Sequence, residues 1–311
     1  MTHPFLEKNF ESPWSKLQDE NIEADISQAI ENAQARLNEI KAIPAGHLTF
    51  ENTILAFEDA CEELSEPWGK VCHLDSVCNH PALREAYNRM LPEVSAFNTR
   101  IYLDEALWSQ LRSYQEQEKA DALDSTQLRL LEEISKDFQE SGADLQPEQK
   151  ERLREINAQL AQKTQAFSEN VLDATNAWEK IVDREEDLAG LPENARESAR
   201  EDAKAHGHGS DDQPAWRFTL QMPSFLPAVT YLKDRELRKE IWSAGVSVGL
   251  HPPHDNTSLI QEILELRAEK AGILGFPHFA DLSTHRRMVG SGENALHFTE
   301  DLHRKIKDRF D

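Results

Sequence analysis

Histidine is the residue type in this 311-residue chain best suited to holding a metal ion, and the spacing of its 12 copies can be tested directly. A hydrolytic zinc helix carries His at i and i+4 with Glu directly after the first. That spacing puts both imidazoles on one face, beside the water the Glu deprotonates. None of the 12 histidines is followed by Glu. His206 with His208, and His251 with His254, could each offer two nitrogens, but both pairs lie in Gly- or Pro-rich loop without an orienting Glu. Solvated loop histidines are the simpler reading, with an adventitious metal at His206 and His208 the weaker one. Glu300-Asp301-Leu302-His303 is the only ExxH, whereas a carboxylate-bridged di-metal bundle needs two such pairs and two further Glu.

Nucleotide and nucleophile patterns are also missing. The Gly pairs 207/209 and 290/292 do not continue into a dinucleotide fingerprint, and Gly69-Lys70 lacks a Gly-rich approach that would cradle phosphate. Gly290-Ser291-Gly292 reads as a turn before a helix, not as a nucleophile elbow. Cys61, Cys72 and Cys78 form no CxxC, which argues against a disulfide framework or thiolate zinc site and fits a reducing cytoplasm. Cys61 falls on an apolar helical stripe, the usual place for a structural thiol. No catalytic residue, cofactor-binding residue or metal ligand is therefore assigned to this chain.

One segment still concentrates charge, His and Gly: Arg267-Ala268-Glu269-Lys270-Ala271-Gly272-Ile273-Leu274-Gly275-Phe276-Pro277-His278-Phe279, running on to His285-Arg286-Arg287-Met288. Projected at about 100° per residue, Leu259, Ile260, Ile263, Leu264, Ala271 and Leu274 share one arc, with Glu262, Glu265 and Glu269 opposite as a solvated face. Arg267 falls inside the apolar arc, where an unpaired guanidinium is costly, so a structural pairing with a carboxylate is expected. Gly275 sits where a left-handed cap is wanted, Phe276 where the cap's hydrophobic contact falls, and Pro277 where continuation is blocked. The segment reads as a helix stop, and His278 and His285 as no metal site.

The elements around it are mostly helical. Thr49 reads as an N-cap with Glu51 in the first turn, followed by Ile54, Phe57, Cys61 and Leu64 on one stripe. Further helices are expected near 22–42, 81–100, 104–118, 124–140, 192–205, 233–248, 257–274 and 293–310, and a long one from Pro147 to about Ala174 with Leu153, Ile156, Leu160, Phe167 and Val171 on one stripe. Trp178–Val182 and Trp216–Met222 alternate and should pair as a small ribbon. A composition 39% hydrophobic and 29% charged fits an ordered, helix-rich chain, and no segment repeats at solenoid spacings. The net charge of −23 disfavours nucleic acid and anionic membranes as partners; Met1 to Trp14 shows no basic stretch followed by an apolar one, and no apolar run approaches eighteen residues, so neither export nor a membrane span is expected. The last helical pattern reaches Phe310-Asp311 without a Gly cap, as if cut within or just after a helix.

Several segments also carry a resemblance, in the same order along the chain: Thr49-Phe50-Glu51-Asn52-Thr53, His73-Leu74-Asp75-Ser76-Val77, Pro81–Tyr87, Asn170–Thr175, Met222–Tyr231, Leu264–Phe276, Phe279-Ala280-Asp281 and Arg287-Met288. Together they resemble the thimet-oligopeptidase family of zinc metallopeptidases across essentially the whole chain. The resemblance implies a mainly α fold: an elongated antiparallel helical array with a small β-ribbon, the N-terminal portion of a two-lobed, deep-channel peptidase. It further implies cleavage of short peptides with one zinc ion, held by an HExxH helix and a downstream Glu in the second half of a chain about twice this long. No such residue maps here, so the chain is expected to form channel wall and to be inactive alone. The His206–Pro214 loop and Val289-Gly290-Ser291-Gly292 depart from the family's pattern. Residues 1–145 are expected as an N-terminal helical domain, and 146–311 as the long helix, ribbon and helices leading toward the catalytic half. Apolar faces left uncovered could join two copies of the chain. A non-enzymatic acidic helical interaction module is the alternative function.

Overall fold

The computed structural model describes residues 3–117 and 123–309. Among the described residues are twelve α-helices and one two-stranded antiparallel sheet, so the fold is mainly α. The chain divides into two compact units, Met1–Gln162 with Leu266–Asp311, and Lys163–Glu265.

The first unit opens with α1 (Ile22–Ala42). Thr49 then starts a helical segment as expected: its hydroxyl accepts the Asn52 amide while the Asn52 side chain accepts the Thr49 amide. The first turn, Phe50–Leu55, is π-helical and runs into α2 (Ala56–Val77). α3 (Pro81–Tyr102), α4 (Glu105–Gln115) and α5 (Ser125–Glu140) follow, each started by a capping side chain, His80, Asp104 and Asp124. The helix expected to reach 118 ends at Gln115, and residue 118 itself lies outside the described residues. Phe57, Tyr102, Trp108 and Phe138 form the aromatic centre, with the Trp108 and Phe138 rings stacked 5.5 Å apart. These rings come from α2, α3, α4 and α5, so one cluster ties four helices together.

α6 (Pro147–Ala177) and α10 (Thr257–Ile273) each run across a boundary between units. On α6 only Leu153 and Ile156 of the expected stripe are buried; Leu160, Phe167 and Val171 stay half-exposed. On α10, Ile263, Leu266 and Ala271 are buried, but Ile260 and Leu264 from the expected arc are exposed. α11 (Phe279–Thr284), not foreseen in the sequence, and α12 (Gly292–Ile306) complete the first unit. The pattern expected to continue to 310 leaves the α-helix at Ile306, and Phe310 and Asp311 lie outside the described residues.

In the second unit β1 (Glu179–Val182) pairs with β2 (Trp216–Thr219), from Glu179 opposite Thr219 to Val182 opposite Trp216. Between them lies α7 (Glu193–Ala205). The second strand was expected to reach Met222 but stops at Thr219, because Met222 begins α8 (Met222–Tyr231). Pro223 fits the first turn of that helix, and Ser224 Oγ accepts the Thr219 amide and turns the chain away from the ladder. α9 (Arg235–Val246) follows, and Leu188, Trp216, Phe218, Leu232 and Ile241 pack as a separate core. No described helix is long and apolar enough to cross a membrane.

Candidate functional site

The histidines scatter to separate structural tasks. His206 Nδ1 lies 2.8 Å from the Asp202 carbonyl oxygen on the last turns of α7, and His208 Nε2 lies 3.7 Å from Glu179. His251 and His254 sit in the turn between α9 and α10, where the His254 amide donates to the His251 carbonyl. Glu300 and His303 lie exposed on α12. Among the described residues no three His, Cys, Asp or Glu side chains gather as a metal ion would require.

The segment from Arg267 to Met288 acts as a joint within the first unit. Gly275 adopts φ +82°, and the Phe276 amide donates back to the Ala271 carbonyl at 2.8 Å, closing α10 with the expected left-handed cap. The carboxylate expected for Arg267 is replaced by a ring: its guanidinium carbon stands 5.1 Å from the Phe279 centroid, where the π face takes the charge. Glu269 is not simply solvated, since it accepts two hydrogen bonds from Arg152, and Glu262 pairs with Lys163 in the second unit. His285 Nε2 meets Glu140 at 2.7 Å, and Arg286 reaches Glu133, Asp137 and Glu140 on α5. The basic pair thus clamps α11 to an acidic face of α5.

Several clefts among the described residues carry polar side chains. In the second unit α7, α8 and β2 enclose about 770 Å³, lined by Asn194, Ser198, Asp202, Arg217, Ser224 and Tyr231 among others. Arg217 there already bonds Asp202 at 2.6 Å and Glu179 at 2.7 Å. The Arg217 hydrogen bond holds the Glu179 carboxyl below its usual range, so this cleft has little positive charge to give a ligand.

A smaller cleft of about 370 Å³ lies in the first unit between α2, α3, α6 and α10. Lys270 reaches it from α10 and donates to Asn157 Oδ1 at 2.8 Å, while Asn157 Nδ2 donates to Thr99 Oγ1 at 3.3 Å. Lys270 lies in the segment the sequence singles out, but it received no role there because its polar partner is 113 positions away. Burial pushes its ammonium below the ordinary lysine range.

α12 presents an apolar stripe to solvent. Phe298, Leu302 and Ile306 recur every four residues at 68%, 48% and 38% exposure, and no residue of the helix is buried. Met288, before it, is fully exposed.

Comparison with known proteins places the chain. Residues 24–150 match the Neurolysin/Thimet oligopeptidase N-terminal domain, and residues 228–311 match Peptidase family M3. Oligopeptidase A of Haemophilus influenzae is 33% identical over 99% of this chain and 45% of its own length. The chain belongs to peptidase family M3. Oligopeptidase A of Escherichia coli is 31% identical over 99% of this M3 chain and 45% of its own length. Probable cytosolic oligopeptidase A of Arabidopsis thaliana is 29% identical over 93% and 41%. The M3 chain therefore spans less than half the length of these relatives.

The zinc that the family implies does not fit the donor set of this M3 chain. The histidines present lack the Glu that follows the first ligand of a hydrolytic helix, and those nearest each other, His206 and His208, are engaged with Asp202 and Glu179. No hydrolytic step is assigned to its residues.

Proposed function

We propose that this chain is the non-catalytic region of an oligopeptidase A-like zinc peptidase, cytoplasmic and acting on short peptides. Its role is to form channel wall and to support a catalytic part that supplies the metal and the general base. The observation that carries this reading is the bare apolar stripe of α12, in a chain that covers 45% of the length of oligopeptidase A. Exposed Phe, Leu and Ile at helical spacing are a surface awaiting cover, and the remainder of an M3 polypeptide is the occupant the reading assigns. The −23 net charge and the lack of a membrane-crossing helix among the described residues agree with a peptide-handling role away from nucleic acid and lipid.

The test is a chimera in which this chain replaces the matched 45% of the Haemophilus influenzae relative. A quenched fluorescent peptide should be cleaved by the chimera and left intact by the 311-residue chain alone. Chelator-sensitive cleavage by the chain alone would overturn the reading.

A further inference from the structure

The cleft between α2, α3, α6 and α10 stands out by its charge. The chain has 57 acidic residues against 34 Lys and Arg, so a lysine has carboxylates in excess to choose from. The deeply buried lysines take one: Lys150 pairs with Glu105 at 3.0 Å, and Lys70 with Glu66 at 3.1 Å in addition to the Phe5 and Glu7 carbonyls. Lys270 is half-buried, yet among the described residues its polar partner is the neutral amide of Asn157. An ammonium has three donors and one is used, so two remain for the cleft it lines. Desolvating a cation without a counter-charge is unfavourable and is tolerated where an anion completes the site.

The rest of the lining suits such an anion's body. Ser95, Asn98, Thr99 and Ser141 supply hydrogen-bonding groups, and Leu91 and Val94 an apolar wall. A volume of about 370 Å³ is near the lower end for a small-ligand site. We propose that this cleft is a carboxylate-binding site in which Lys270, oriented by Asn157, receives the carboxylate of a short peptide or acidic side chain. The peptide as source rests on the proposed function; the charge argument does not. Binding needs no catalysis, so a chain that fails in the chimera can still pass the test below.

The test is calorimetric titration of the full 311-residue chain with three probes: N-acetyl-Ala-Ala with a free C-terminus, its C-terminal amide, and N-acetyl-Ala-Glu amide. At least one carboxylate probe should bind tenfold or more tightly than the uncharged amide, and the two acids together tell a C-terminal source from a side-chain source. Lys270→Gln should abolish that preference and Lys270→Arg should retain part of it. Ser95→Tyr, which fills the cleft while leaving the lysine in place, should weaken the same probe should Lys270→Gln fail to fold. Equal binding of acid and amide, binding of neither acid, or an undiminished preference in Lys270→Gln or Ser95→Tyr would overturn the assignment.

Discussion

The double substitution Phe298→Glu with Leu302→Glu separates a face that waits for a partner from one that supports the chain itself. Fully burying a Phe, Leu or Ile side chain contributes about 1.5–3 kcal/mol. At 68%, 48% and 38% exposure, Phe298, Leu302 and Ile306 leave roughly one and a half side chains' worth of burial unrealised. A covering surface would therefore gain about 2–5 kcal/mol from the stripe. Two charges placed there would remove most of that gain and oppose burial, weakening association by at least about 30-fold. Urea unfolding of the substituted chain alone should lose no more than the burial Phe298 and Leu302 already have, somewhat under one side chain's worth or about 1–2.5 kcal/mol. Peptide cleavage by the Haemophilus influenzae chimera should fall together with its thermal midpoint. Loss of more than about 3 kcal/mol from the isolated chain, or an unchanged chimera, would refute the reasoning. Sedimentation of the isolated chain reads the remaining occupant: a dimer that the double variant dissolves would assign the stripe to a second copy.

Other perturbations read single features. Gly275→Ala puts a Cβ at φ +82° where no atom lies within 4 Å, so the cost is backbone strain alone, about 1–2 kcal/mol in urea unfolding; a loss well beyond that would mean a clash the structure does not contain. Burial would raise the Asp104 carboxyl, but the Lys41 hydrogen bond and the Leu107 amide outweigh it and hold it below its ordinary range. A depressed carboxyl gives stability that is present above its unfolded value and lost as pH falls through the folded one. The stability advantage of the parent over Asp104→Asn should accordingly be larger at about pH 6 than at about pH 2.5 in urea titrations. Burial, with Glu58 adding to it, pushes the Cys61 thiol up to about 12, whereas Cys78 is exposed. Iodoacetamide at about pH 8 should label Cys78 at least about 100-fold faster than Cys61 by peptide mass mapping, because the thiolate is the nucleophile; comparable rates would contradict the burial of Cys61.

Local chemistry was legible wherever a residue's own neighbours decide its state. Pro81 and Pro147 start helices, Thr49 caps one, and Gly275-Phe276-Pro277 stops one, because each acts through backbone groups within a turn of itself. The ribbon was legible from alternation, but the helix α8 directly after it was not foreseen: Pro223 suits its first turn, and the Ser224 hydroxyl accepts the Thr219 amide where the strand ends.

What depends on distant partners was decided by the tertiary structure. Periodicity placed Arg267 in an apolar arc, and only the return of α11 supplied Phe279 in place of a carboxylate. It likewise marked Ile260 and Leu264 as core, although the arc of α10 is wider than the surface that covers it. The family mark and the lack of a hydrolytic zinc motif were matters of sequence, since residue order fixes them without reference to fold. Whether a cation is neutralised is a question of distance across the chain, and for Lys270 the answer came from Asn157, 113 residues away, with burial rather than sequence setting the cost of its charge.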